Sequence, residues 1–125
     1  MKVNIGEYLN SEDKGERVIE IHIDDYDIWN MDHTLALIIL PMLKKYKSTF
    51  HGIPSNFCYD QDETELPIEE SKSMWNQILD KMIWSFEAIV KDDDLLQPKD
   101  KIVEYNERIQ EGLNLFAVYF RSLWD

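Results

Sequence analysis

Asp80 and Glu87, in "ILDKMIWSFE", are seven residues apart, so on a helix they share one side, two turns from each other. Ile83 lies between them and Trp84 flanks them. Two acids bordering an apolar stripe have two chemical uses. They can hold a divalent cation, or serve as acid and base once burial splits their pKa values. Asp32 and His33 in "NMDHTLAL", and Arg108 in "NERIQEG", are the groups placed to join them across a helical interior. The competing reading is structural. Boundary acids of an amphipathic helix are solvated or paired with Lys81 or Arg108, and ion-pair networks perturb acids with no function attached. On that reading Asp32 and His33 are a polar anchor, and this is the expected outcome.

Other reactive patterns are missing from the sequence. His22, His33 and His51 form no HxxxH or HxxEH spacing, so no metal site is expected. Cys58 is the only cysteine, which excludes an intrachain disulfide and a cysteine zinc site and suits a reduced, cytoplasmic setting. No GxSxG, P-loop or GxGxxG occurs. All-α nucleotide pyrophosphohydrolases build magnesium sites from a Glu-x-x-Glu pair followed by a Glu-x-x-Asp pair. Here Glu69-Glu70 precede Ser73 and Met74, and Asp80 is followed at the third position by Ile83. Magnesium is therefore expected only if one or two carboxylates and substrate oxygens suffice; otherwise no cofactor is expected. Tyr26, Trp29 and Trp84, with His51 in "HGIP", are the candidates to contact a flat ligand or a partner's anchor residue.

The elements that must position these groups read as a single domain, 1–125. Residues 1–23 carry two β-branched segments, "KVNI" and "RVIEIHI", around the turn "SEDKGE". Ile19, Ile21 and Ile23 alternate with Val18, Glu20 and His22, as expected of a hairpin packed on helices. A first helix is predicted over 28–47, with Asp25 and Asp27 at its positive end and Lys44, Lys45 and Lys47 at its negative end. Its "LALIILPML" is apolar on every side, which predicts a central, surrounded helix, kinked at Pro41. The long acidic connection 48–67 suits a lid or partner-binding segment. A second helix is predicted over 68–90, and a third over 98–124, with Pro98 in its first turn. Gly112 lies on the apolar stripe of the third, where a missing side chain lets another helix come close, at about 1 kcal/mol of propensity. The expected fold is mainly α (α+β): a compact bundle of three long helices with an N-terminal β-hairpin.

Net charge is -12, from 25 acids against 13 lysines and arginines. Direct nucleic-acid binding is disfavoured, since it needs clustered cations, whereas a basic protein partner is favoured. The longest apolar run, 35–43, is under half the length that spans a bilayer, and the N-terminus has no apolar leader. A soluble, non-membrane protein is expected.

Four blocks, "YDIWNMDHTLALIILPML", "HGIP", "WNQILDKMIWSFE" and "RIQEGLNLFAVYFRSLW", resemble in their order a family of small uncharacterised proteins of tailed bacteriophages. The family often has Trp-Ser-Met-Asp where this chain has Trp29-Asn30-Met31-Asp32, and longer acidic loops than "KDDDLLQPKD". The resemblance implies a phage setting in the cytoplasm of a bacterial host and supplies no activity. The leading expectation is thus a non-catalytic accessory protein that binds and modulates a host or defence protein. The alternatives are a nucleotide-sequestering protein using Arg108 or Arg121, and a metal-dependent hydrolase using Asp32, Asp80 and Glu87. A homodimer, through the hairpin edge or the Gly112 face, is compatible with all three.

Overall fold

The computed structural model describes residues 1–8, 17–49 and 52–124. The "SEDKGE" turn and His51 lie outside the described residues. Four helices, three of them long, and a two-stranded antiparallel sheet occur among the described residues, the α+β class expected. Contacts divide the chain into two units, Met1–Thr34 and Leu35–Asp125.

In the first unit, β1 (Lys2–Ile5) pairs with β2 (Ile19–His22), matching Lys2 to His22, Val3 to Ile21, Asn4 to Glu20 and Ile5 to Ile19. Opposite residues share a face. The register therefore makes one face aliphatic (Val3, Ile5, Ile19, Ile21) and the other polar (Lys2, Asn4, Glu20, His22). All eight strand residues are exposed.

Asp24 then starts α1 (Asp25–Trp29), its backbone N–H donating to Asp27 Oδ2 at 2.8 Å. This reciprocal cap opens the helix three residues before the predicted start. At Asn30 the backbone leaves helical values, φ -121° and ψ 50°. The Asn30 carbonyl accepts from both the N–H and the Oγ1 of Thr34, at 3.0 and 3.1 Å. A new helix, α2 (Met31–Ser48), begins there. The single helix predicted over 28–47 is two, because Asp27 caps backward and Asn30 breaks the ladder.

The second unit is centred on α3 (Ile68–Lys91), not on α2. Trp75, Leu79, Met82 and Phe86 of α3 form the buried core with Ala36 and Leu43 of α2. The spacing of the α3 residues is a helical stripe. α2 buries only Ala36 and Leu43 and leaves Leu35, Leu37 and Met42 exposed. A helix apolar all round need not be surrounded; here one stripe is used, with Ile39 and Leu40 half-buried beside it. Pro41 sits inside α2. The helix α4 (Ile102–Tyr119) starts after a turn in which Lys101 N–H donates to Pro98 O at 2.9 Å. It ends in a 3-10 turn, Phe120–Ser122, so the predicted 98–124 helix is shorter at both ends.

Gly112 is where α3 and α4 meet. A Cβ there would lie 2.5 Å from Lys81 O and 2.6 Å from Ser85 Cβ, and closer still to Ser85 Oγ. The Ser85 hydroxyl donates to Arg108 O at 3.2 Å and is itself buried. Small residues on both helices thus replace side-chain bulk with backbone proximity. The Gly112 face is filled by the chain's own α3.

The segment 52–67 is tied down by its own hydrogen bonds. Asp60 Oδ1 accepts from the N–H groups of Asp62 and Thr64, each at 2.9 Å, and Leu66 N–H donates to Cys58 O at 2.8 Å. Phe57, in the turn Ser55–Phe57, stacks against Trp75 at 5.8 Å and Tyr119 at 5.5 Å. Trp75 is 0% exposed, so this segment caps one end of the core.

Candidate functional site

Each of the two acids that opened the sequence reading has a lysine of α2. Lys47 pairs with Asp80, and Lys44 Nζ lies 3.0 Å from Glu87 Oε1. The order of the pairs, 44 with 87 and 47 with 80, makes α2 and α3 antiparallel. On the opposite flank Lys81 reaches Glu111 of α4 at 2.8 Å. Exposed pairs of this kind contribute about 0–1 kcal/mol each. Their geometry is that of boundary charges stapling helices together, with Lys44 and Lys47 of α2 as the partners of Glu87 and Asp80 in place of the expected Lys81 or Arg108.

Arg108 stacks its guanidinium on the Trp84 ring, 3.8 Å from the centroid. The Trp84 ring meets Tyr105 edge-on at 5.6 Å, and the Tyr105 hydroxyl donates to Asp93 Oδ1 at 2.7 Å. Burial first, then this hydrogen bond and the charges of Asp92, Asp93 and Asp94, push the Tyr105 hydroxyl up to about 12. It is held protonated, a donor and not a base. The row Arg108–Trp84–Tyr105–Asp93 therefore latches the α3–α4 connection to α4. Glu87 lines a small depression of about 150 Å³ beside it, with Trp84, Tyr105 and Asp93. Sequence reasoning singled out Trp84 and Arg108 but missed Tyr105 and Asp93. They are twelve residues apart on opposite sides of a turn, a separation with no local signature.

Arg108 also lines an open depression of about 320 Å³ with Lys81, Glu104, Glu107 and Glu111. Three carboxylates against two cations make a poor seat for a phosphate. Asp32, exposed, and His33, half-buried, lie in the first turn of α2 and belong to the first unit; Asp80, Glu87 and Arg108 belong to the second. Among the described residues no group of three or more His, Cys, Asp or Glu side chains gathers as a metal site.

The first unit holds the other candidates, Tyr26 and Trp29, which are 67% and 87% exposed. The α1 residues around them are fixed from below. The Met1 ammonium lies 3.1 Å from Asp27 Oδ2 and 3.2 Å from Asp24 Oδ2, which also accepts from the Tyr26 hydroxyl at 3.2 Å. Asp27 is 8% exposed. The Asp24 N–H holds its carboxyl below the usual range against the opposing effect of burial, with the Met1 ammonium adding to the shift. Those hydrogen bonds in turn raise the Met1 amino group, Asp27 contributing most. This carboxylate cluster anchors α1 and leaves Trp29 outside. Ile28 and Met31 are exposed beside it in sequence, as are the aliphatic residues of the hairpin. The first unit therefore offers apolar side chains at a density that a solvated surface has no use for.

Among the described residues, no helix is long and apolar enough to cross a membrane. Comparison with family models, with curated proteins and with solved structures finds no match to the chain.

Proposed function

We propose that the protein is a non-catalytic accessory protein that binds and modulates a host or defence protein in the cytoplasm of a phage-infected bacterium. It docks through the apolar surface of its first unit. The observation that carries this reading is Trp29, 87% exposed on a helix whose base is locked by buried Asp27. A large exposed aromatic on an anchored helix is the kind of anchor that dominates protein interfaces. Asp25 and Asp32, both exposed, stand near it in sequence, which favours a partner with a basic rim. The phage setting rests on the resemblance of the four sequence blocks.

The nucleotide alternative draws less support, because the faces of Trp84 and Arg108 already satisfy each other and acids surround them. The hydrolase alternative is weakened by the lysines paired with Asp80 and Glu87.

The test is affinity capture from infected cells with the wild type, Trp29→Ala and Ile5→Lys, each checked for helical content. The wild type should recover one host protein near equal stoichiometry, and both variants should lose it by about tenfold or more. Recovery of no specific protein, or equal recovery by the variants, contradicts the proposal.

A further inference from the structure

We infer that two copies of the chain join along the outer edges of their β2 strands. The product is a four-stranded antiparallel sheet in the order β1-β2-β2-β1, with its two-fold axis at Ile21.

The hydrogen-bond pattern shows which groups face outward. Gly6 N–H donates to Val18 O at 2.8 Å, continuing the register that pairs Ile5 with Ile19. Bonded and non-bonded pairs alternate in an antiparallel ladder. Asn4–Glu20 and Lys2–His22 are thus bonded pairs, while Ile19 and Ile21 turn their N–H and C=O groups to the free side of β2. Among the described residues nothing bonds to that edge. The β1 edge differs, because Arg17 donates to the outward carbonyl of Ile5 at 3.3 Å and to Gly6 O at 2.6 Å. Of the two edges, β2 is the open one.

Two-fold registers centred on Glu20, Ile21 or His22 keep the aliphatic side chains on one face and the outward groups bonded. Centring on Glu20 sets Glu20 against its own copy. Centring on His22 sets His22 against its copy and Glu20 against Asp24. Like charges directly opposite destabilise a sheet. Centring on Ile21 bonds Ile21 to Ile21 and Ile19 to Ile23, and sets Glu20 of each copy opposite His22 of the other. Those two carboxylate–imidazole pairs, able to hydrogen-bond, fall at non-bonded positions, where side chains come closest. The polar pattern of "IEIHI", acid facing imidazole, is self-complementary when centred on Ile21. The gain is physical: a lone two-stranded hairpin is marginal in water, and further strands on a hydrophobic face are one of the ways it is stabilised. Pairing leaves the aliphatic face open and doubles its extent, so the dimer neither depends on the proposed host partner nor competes with it.

The test is the mass of the full chain by sedimentation equilibrium over a concentration series, with no partner present. The wild type should be a dimer that dissociates on dilution. Ile21→Pro removes an outward N–H and spares the β1–β2 ladder, because Pro is tolerated where the N–H faces solvent; it should be monomeric with unchanged helical content. His22→Glu places like charges opposite at two symmetric sites and should weaken the dimer by about tenfold or more. The double exchange Glu20→His with His22→Glu recreates both pairs and should restore it. A wild-type monomer at all concentrations overturns the inference. So does a dimer that survives Ile21→Pro, or a double exchange no better than the single variant. Failure to capture a host protein would leave these masses unaffected.

Discussion

Replacing Gly112 by Ala is the most informative change to the fold, because two effects of known size oppose each other there. In an ordinary helix interior the exchange stabilises by about 1 kcal/mol, since Ala gives up less backbone freedom. At Gly112 the new methyl would lie 2.5 Å from Lys81 O and 2.6 Å from Ser85 Cβ, well inside van der Waals contact. Overpacking of this kind costs about 1–3 kcal/mol. Moving Ser85 aside also weakens its hydrogen bond to Arg108 O, a loss of about 1 kcal/mol. The net expectation is destabilisation by about 2 kcal/mol, which for a chain of this size lowers Tm by roughly 6–10 °C. Thermal unfolding followed by circular dichroism reads this directly. In a Ser85→Gly background two of the three obstructions are gone, so the same exchange should cost less by about 1 kcal/mol. If Gly112→Ala raises Tm, the close α3–α4 crossing is wrong.

Three further outcomes follow from the same geometry. Leu43→Ala, in the core, should lose about 2–5 kcal/mol, while Met42→Ala, on the exposed side of the same helix, should stay within about 0.5 kcal/mol; equal losses in denaturant unfolding would return α2 to a surrounded position. Tyr105 titrates at about 12 in the folded chain and near its ordinary value of about 10 when unfolded. Its stabilisation is complete below about pH 10 and is lost between about 10 and 12. Tyr105→Phe should remove that alkaline loss, and the late-ionising part of the tyrosinate absorbance should shrink in that variant. Asp27, whose folded pKa is depressed, contributes stability above the ordinary carboxylate pKa and loses it as pH falls through the lower folded value. NMR titration should place its carboxyl below the ordinary aspartate range, and Asp27→Asn should flatten the acid limb of the stability profile.

The regular elements were legible where one signal dominated. The α3 stripe, Trp75 through Phe86, repeats at helical spacing and is the core. The hairpin alternation gave the correct faces, and Gly112 announced a close helix approach before its neighbour was known. What periodicity could not show was which helix is surrounded. The run Leu35–Leu43 is apolar on every side, so it carries no information about which face is buried, and only packing in the core with α3 selects Ala36 and Leu43. The break at Asn30 depends on a backward cap by Asp27, a three-residue interaction that a longer helical pattern conceals. Candidate site residues divided in the same way. The lysine partners of Asp80 and Glu87 follow from α2–α3 pairing, which no local spacing encodes, and the Tyr105–Asp93 hydrogen bond closes a turn from both sides. The exposed aromatics, Tyr26 and Trp29, were visible by residue type, but their exposure was a matter of tertiary structure.

The claim on which the rest depends is that the first unit is the working surface. Hydrogen–deuterium exchange on the full chain, alone and bound to the host protein captured from infected cells, tests it most directly. The account predicts slowed exchange in the complex over residues 2–5, 19–23 and 26–31, with α3 and α4 unchanged. Protection confined to α3 and α4, with the hairpin and Trp29 exchanging as in the free chain, would contradict it.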